Sequence, residues 1–242
     1  MGKTNIRWTD ETWNPITGCT PISAGCANCY AKKHAARLQG NPNPKVGHKY
    51  RNGFKPTVHP QYLEEPFRWK KPRMVFVNSM SDTFHKDVPE DFIRKIFETM
   101  AACPHHVFQV LTKRADRMAE LSGQIIWPDN VWAGVTVESA EYLDRMDQLR
   151  RVPAQVRFIS FEPLLGPIRE IDFQGIHWAI VAGESGPRAR PMDLEWARDI
   201  RDQCCDAGVA FFFKQVGGTD RDKGGILLDG REWTEYPQQI AG

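Results

Sequence analysis

Short apolar runs alternate with amphipathic stretches along most of the chain. The runs at 12–16, 74–78, 107–112, 131–137, 156–161, 177–182 and 209–214 have the length and continuous apolar character of strands buried on both faces. Between them, 27–38, 90–102, 115–121, 140–150 and 194–207 carry apolar residues at helical spacing. Asp193 stands where it can cap the last of these helices and Gly208 where it can end it, while Pro89, Glu90 and Asp91 open another with acidic groups at its positive end. Strand followed by helix, repeated with some imperfect units, predicts an α/β fold with a parallel (β/α) barrel or a partial TIM-like barrel rather than a flat doubly wound sheet. The expected organisation is one domain over 1–242, with a long Pro-, Gly- and Asn-rich excursion at 40–73 and a C-terminal hairpin at 224–237 turning at Asp229 and Gly230.

In parallel barrels the reactive site sits at the carboxyl ends of the strands, and here those ends are polar throughout. They read Asn78, Ser79, Ser81 and Asp82; Thr112, Lys113 and Arg114; Thr136, Glu138 and Ser139; Ser160 and Glu162; Gly183, Glu184, Ser185 and Gly186; Lys214 and Gln215. One polar exit means only that a strand meets solvent. Their recurrence at every strand predicts one shared pocket. Within it, Glu184 can accept hydrogen bonds from an amine or from ribose hydroxyls, or cap a helix, and Glu162 before Pro163 has the same two readings. Lys113 and Arg114 can hold a phosphate or carboxylate, and Lys214 follows an aromatic run that would bury it.

Composition adds the chemistry. Three of the six cysteines, Cys19, Cys26 and Cys29, fall in one polar, turn-rich loop at 18–30, and the next is Cys103. Three thiolates on one turn form a nearly complete set for zinc or for an iron–sulfur cluster, against the bland reading of small buried hydrophobes or a disulfide. His34, one turn after Cys29, is the nearest candidate for a fourth zinc ligand. The chain has no apolar run long enough for a membrane span and no apolar signal core, and its irregular cysteines do not form a secreted framework, so a soluble cytoplasmic protein is expected. The net charge of +2 is unevenly placed, since residues 32–73 hold eleven Lys or Arg against two Glu. There Tyr50, Phe54, Tyr62, Phe67 and Trp69 interleave with Lys45, Lys49, Arg51, Lys55, Arg68, Lys70 and Lys71. Such a segment fits either a nucleic-acid contact or a wet loop whose aromatics pack inward.

Taken in order, GCTPISAGCANCYA, VNSMSD, LTKRADRM, GVTVES, SFEPLLGPI, VAGESGPRARPM and FFFKQ resemble the phage Gp37/Gp68 family, also called the DUF5131 proteins. That family is similar to radical S-adenosylmethionine enzymes, above all the spore photoproduct lyase branch. The resemblance implies a [4Fe–4S] cluster on Cys19, Cys26 and Cys29 whose free iron takes the amino and carboxylate groups of S-adenosylmethionine. It implies that Ser81 and Asp82 approach the methionyl amine and Thr136 and Glu138 the ribose, with Ser79, Gly183, Glu184 and Ser185 completing that site. Glu138, Glu162, Lys113 and Lys214 are the expected catalytic residues, and a base or modified base in phage or host DNA the expected substrate. Reduction of the cluster calls for an electron-donor protein. The loop departs from the usual one: six residues separate Cys19 from Cys26, and Asn28, not an aromatic residue, precedes Cys29. Two other functions compete, a non-catalytic zinc module binding nucleic acid through Cys19, Cys26, Cys29 and His34, and a barrel hydrolase using Glu138, Glu162 or Glu184 as acid and base.

Overall fold

A computed structural model describes residues 4–220 and 222–238; the side chain of Lys45, counted above in the basic segment, lies outside the described residues. The strands are β1 (Glu11–Trp13), β2 (Ile16–Thr17), β3 (Thr57–Val58), β4 (Met74–Val77), β5 (Val107–Thr112), β6 (Val131–Thr136), β7 (Arg157–Phe161), β8 (Trp178–Ala182) and β9 (Ala210–Gln215). The helices are α1 (Tyr30–Gln39), α2 (Pro44–Gly47), α3 (Glu90–Ala101), α4 (Ala115–Ser122), α5 (Asp144–Arg150) and α6 (Leu194–Ala207).

Seven strands pair in parallel in the order β1-β4-β5-β6-β7-β8-β9. The terminal strands β1 and β9 do not pair with each other, and the sheet is therefore an open barrel. Its curl is visible in Trp8, whose ring meets Phe76 of β4 at 4.7 Å and Trp178 of β8 at 6.1 Å. The same N-terminal segment spans the gap, because Asp10 donates its backbone N–H to Met74 while Arg7 donates to the carbonyls of Phe213 and Lys214. This is the partial TIM-like α/β barrel expected from the pattern.

Side chains alternate across the strands with the period of the pleat. Val75, Val77, Phe108, Val110, Phe211 and Phe213 face the helices and join the main core with Phe92, Ile93, Ile96 and Met100 of α3. Phe76, Phe158, Trp178 and Phe212 face inward and fill the lumen around Trp8. Asp193 caps α6 by accepting from Glu195 N at 3.0 Å, and Gly208 ends it with φ of 68°. The segment around Trp233 to Glu235 pairs antiparallel along β9, which covers that edge, and Asp229 and Gly230 turn it with positive φ.

Three elements differ from the sequence expectation. The strand expected at 12–16 is two strands, because Pro15 cannot donate to a ladder; β1 joins the barrel, whereas β2 pairs antiparallel with β3 of the excursion. The helix expected from 27 starts at Tyr30, since Cys29 keeps a non-helical backbone (ψ of 120°). The helix expected at 140–150 opens with a tight turn at Ala140–Tyr142 before α5. No helix among the described residues is long and apolar enough to cross a membrane.

Candidate functional site

The cysteine loop leaves the end of β2 and is fixed at once. Gly18 takes φ of +85° and donates to Met80 O, and a side chain there would come within 2.2 Å of Lys55 O, so only glycine admits this approach. Cys19 then donates its N–H to Phe54 O at 3.1 Å. A tight turn at Ala24–Cys26 and the start of α1 bring the three free, half-buried thiols to the wall of one cavity of about 460 Å³.

Three carboxylates at the strand ends, in four ion pairs, reach up and hold this loop. After β4, buried Asp82 accepts from Arg114 Nη1 at 2.8 Å, from Thr112 Oγ1 at 2.7 Å and from Phe84 N at 2.9 Å. Arg114 in turn donates to Cys19 Sγ at 3.4 Å and to Thr20 O at 2.9 Å. After β6, fully buried Glu138 pairs with Lys113 and with Arg145 Nη1 (2.7 Å), and the Ser23 hydroxyl donates to it. After β8, buried Glu184 takes a bidentate grip from Arg190 (2.9 and 2.6 Å) and the Asn28 amide at 2.9 Å, while Arg190 also reaches Ala24 O. Cys19, Ser23 and Asn28 are thus tied to three different strands.

The electrostatics follow from these contacts. Burial works to raise the pKa of Glu138, but Lys113, Ser23 and Arg145 outweigh it and hold the carboxyl below its usual range. Burial likewise opposes Arg190 and Asn28 at Glu184, which still falls from 4.5 to about 2. Burial, aided by Asp82, pushes the Cys19 thiol up to about 11 against the pull of Arg114. At Cys26 burial is outweighed by hydrogen bonds from Ile22 and Ser23 and by the Lys113 charge, and the thiol is lowered. Because the folded pKa of Glu184 lies below the unfolded one, its contribution to stability is present above about pH 4.5 and is lost as pH falls toward 2. Urea unfolding at about pH 6 and about pH 3 is therefore expected to show a smaller acid loss for Glu184→Gln than for wild type. Equal losses would mean that the ion pair does not stabilise the fold.

A second, larger cavity of about 820 Å³ opens over the strand ends. Ser79, Ser81, Asp82, Lys113, Thr136, Glu162, Gly183, Glu184, Ser185 and Lys214 all line it. Cys19 and Cys29 belong to the walls of both cavities, so the two spaces adjoin. Trp8, Phe76 and Leu111 provide an apolar surface within it, and the buried Trp8 indole N–H has no partner among the described residues. Of the expected residues, Cys26 lines only the thiol cavity, and Glu138 lines neither. Ser79 and Ser81 donate to Asn14 Oδ1 and Ile16 O, and Glu162 pairs with Lys214 inside the cavity. Sequence reasoning missed Ser23, Asn28, Arg145 and Arg190. Only Arg190 had a local cue, six residues after Glu184 in the same Gly- and Pro-rich segment.

Several expectations need correction in this light. Glu138 faces the cysteine loop rather than a ribose pocket. With Glu138 and Glu184 saturated by cations and held ionised, neither suits the acid and base roles of the hydrolase reading. No group of three or more His, Cys, Asp or Glu side chains among the described residues is placed to hold a metal ion, and His34 lies outside the cavity shared by the three thiols. A single zinc needs every sulfur at about 2.3 Å from one point. Arg114 and Lys113 lie beside the thiols, and Lys32 and Lys55 line the cavity that they share. The aromatic residues of the excursion mostly pack inward: Tyr50 and Trp69 are buried, Phe54 and Tyr62 half-buried, and Phe67 is exposed. Lys49 sits 4.0 Å over the Tyr62 ring.

A family model described as "Protein of unknown function (DUF5131)" matches residues 3–237, without the Gp37/Gp68 designation. No curated protein matches the chain. Among solved structures the chain is similar to a spore photoproduct lyase variant with bound AdoMet and dinucleoside spore photoproduct, at 13% identity and a TM-score of 0.44 over 79% of this chain and 60% of that one. It is similar to a spore photoproduct lyase complexed with dinucleoside spore photoproduct at 11% identity and 0.42, over 78% and 58%. The chain thus spans about three-fifths of the length of these structures.

Proposed function

The chain belongs to the DUF5131 family, and we propose that it is a radical S-adenosylmethionine enzyme acting on a nucleobase-containing substrate. The observation that carries this reading is the set of three half-buried thiols around one cavity, braced against three strand ends and adjoining the large cavity through Cys19 and Cys29. Cys19, Cys26 and Cys29 would hold a [4Fe–4S] cluster, which when bound supplies the electron that splits S-adenosylmethionine into methionine and a 5′-deoxyadenosyl radical able to take a hydrogen atom from substrate.

The remaining steps belong to the chain's own residues. Asp82, Glu138 and Glu184 fix the loop, and among the polar groups that line the large cavity are Thr136, Ser185 and the Glu162–Lys214 pair. Thr136 and Ser185 offer hydroxyls to the ribose. Glu162 would accept from the methionyl amino group, and Lys214 would hold or return a proton as the Glu162–Lys214 pair opens. Ser79, Ser81 and Gly183 shape the wall beside them. Lys113, tied to Glu138, positions the loop rather than meeting substrate.

Trp8, Phe76 and Leu111 offer an apolar surface against which a base can pack. The basic residues of 32–73 would attract the phosphate backbone, a contribution that weakens as salt rises. The test is incubation of the reduced, anaerobic protein with S-adenosylmethionine, using dithionite in place of the electron-donor protein. The expected product is 5′-deoxyadenosine, formed only with reductant. Intact S-adenosylmethionine in the presence of a fully reduced cluster would overturn the reading.

A further inference from the structure

Around the large cavity, Asp82, Glu162 and Glu184 each already have a cation, Arg114, Lys214 and Arg190, and the fourth carboxylate of the lining, Asp220, accepts from the Gly224 N–H on the side of Lys223. Lys33 of α1 takes part in none of these pairs. Its ammonium is buried in the same cavity wall and has no hydrogen-bond or ion-pair partner among the described residues. A side chain built on Gly186 would come 3.6 Å from Lys33 Nζ, which places the ammonium beside the turn that follows β8. Ser185, in that turn, also lines the cavity, and Arg37 and Lys223 extend the positive wall. A buried ammonium without an anion is unfavourable, so this wall is complete only when a ligand brings negative charge.

We propose that Lys33 anchors an anion subsite for a phosphate group of the substrate, which is therefore a nucleotide unit rather than a free base or nucleoside. The inference deepens the radical-enzyme reading and rests on it for the role of the cavity. In the radical-enzyme reading the carboxylate of S-adenosylmethionine is taken up at the cluster held by Cys19, Cys26 and Cys29, so a substrate phosphate is the anion left for the wall at Lys33, beside the turn after β8. The unpartnered Trp8 indole N–H on the apolar surface supplies a neutral donor for a base carbonyl in the same cavity.

Direct binding tests this without reference to turnover. Thymidylyl-thymidine, thymidine and S-adenosylmethionine are titrated separately into anaerobically purified wild type, Lys33→Ala and Lys33→Arg of measured iron content, at two salt concentrations. Lys33→Ala is expected to weaken the dinucleotide about tenfold and to flatten its salt dependence, with thymidine and S-adenosylmethionine unchanged. Lys33→Arg keeps most of the dinucleotide affinity, which separates a charge effect from misfolding. The proposal is overturned if wild type does not bind the dinucleotide, if Lys33→Ala binds it as wild type does, or if the loss falls on S-adenosylmethionine instead. Protein without iron would sink the radical reading, yet the comparison of dinucleotide affinities would still decide the subsite.

Discussion

Alanine at Cys19, Cys26 or Cys29, introduced one at a time, is expected to reduce S-adenosylmethionine cleavage to background while leaving a folded protein. The loop carries three thiols, so removal of one leaves two, too few to hold the cluster. The barrel does not depend on these side chains, which are half-buried at its mouth while the two main cores are built from strand and helix residues. Cys205→Ala is the control, because that thiol is exposed on α6, away from the loop. The measurement is 5′-deoxyadenosine formed per protein, with circular dichroism to establish folding. Substantial cleavage by any one of the three loop variants would show that the thiols do not act as a set.

The second large effect is on stability. Glu138→Ala removes a fully buried carboxylate and leaves Lys113 and Arg145 without their anion, Arg145 with a side chain only 8% exposed. Breaking a buried pair in this way typically costs about 3–5 kcal/mol, more than replacing the whole pair by apolar groups. The Ser23 anchor is lost with it, so the thiol loop should lose order as well, and iron content should fall more than the remaining folded fraction explains. Urea unfolding of wild type, Glu138→Ala and Glu138→Gln measures this, with the Gln variant intermediate because it retains a hydrogen-bonding group of similar size. A Glu138→Ala midpoint indistinguishable from wild type would show that the network does not brace the site.

The sequence made the barrel legible because each strand announces itself by a continuous apolar run and each helix by its spacing. It misread 12–16, where an apolar stretch concealed a proline that sends one half to the barrel and the other to the excursion. It also marked the thiol loop and the polar strand ends that surround one cavity. The roles of those ends were another matter. Ser23 and Glu138 stand 115 residues apart, and Asn28 and Glu184 stand 156 apart. No local pattern records such pairings, since they arise only when curling of the sheet carries the loop from β2 across to β6 and β8. Asp82, Glu138 and Glu184 therefore read as ligands for a small molecule when their hydrogen bonds go to Arg114, Lys113, Arg145, Arg190 and the loop itself. The basic excursion left two readings open in the sequence, and of its five aromatic residues Tyr50 and Trp69 are buried, Phe54 and Tyr62 half-buried and Phe67 exposed.

Iron and sulfide analysis with an absorption spectrum, on wild type and Cys26→Ala purified without oxygen, tests the central claim most directly. The account predicts a brown wild type with about four irons and about four sulfides per chain, and a colourless variant. A colourless wild type holding a single zinc would contradict it.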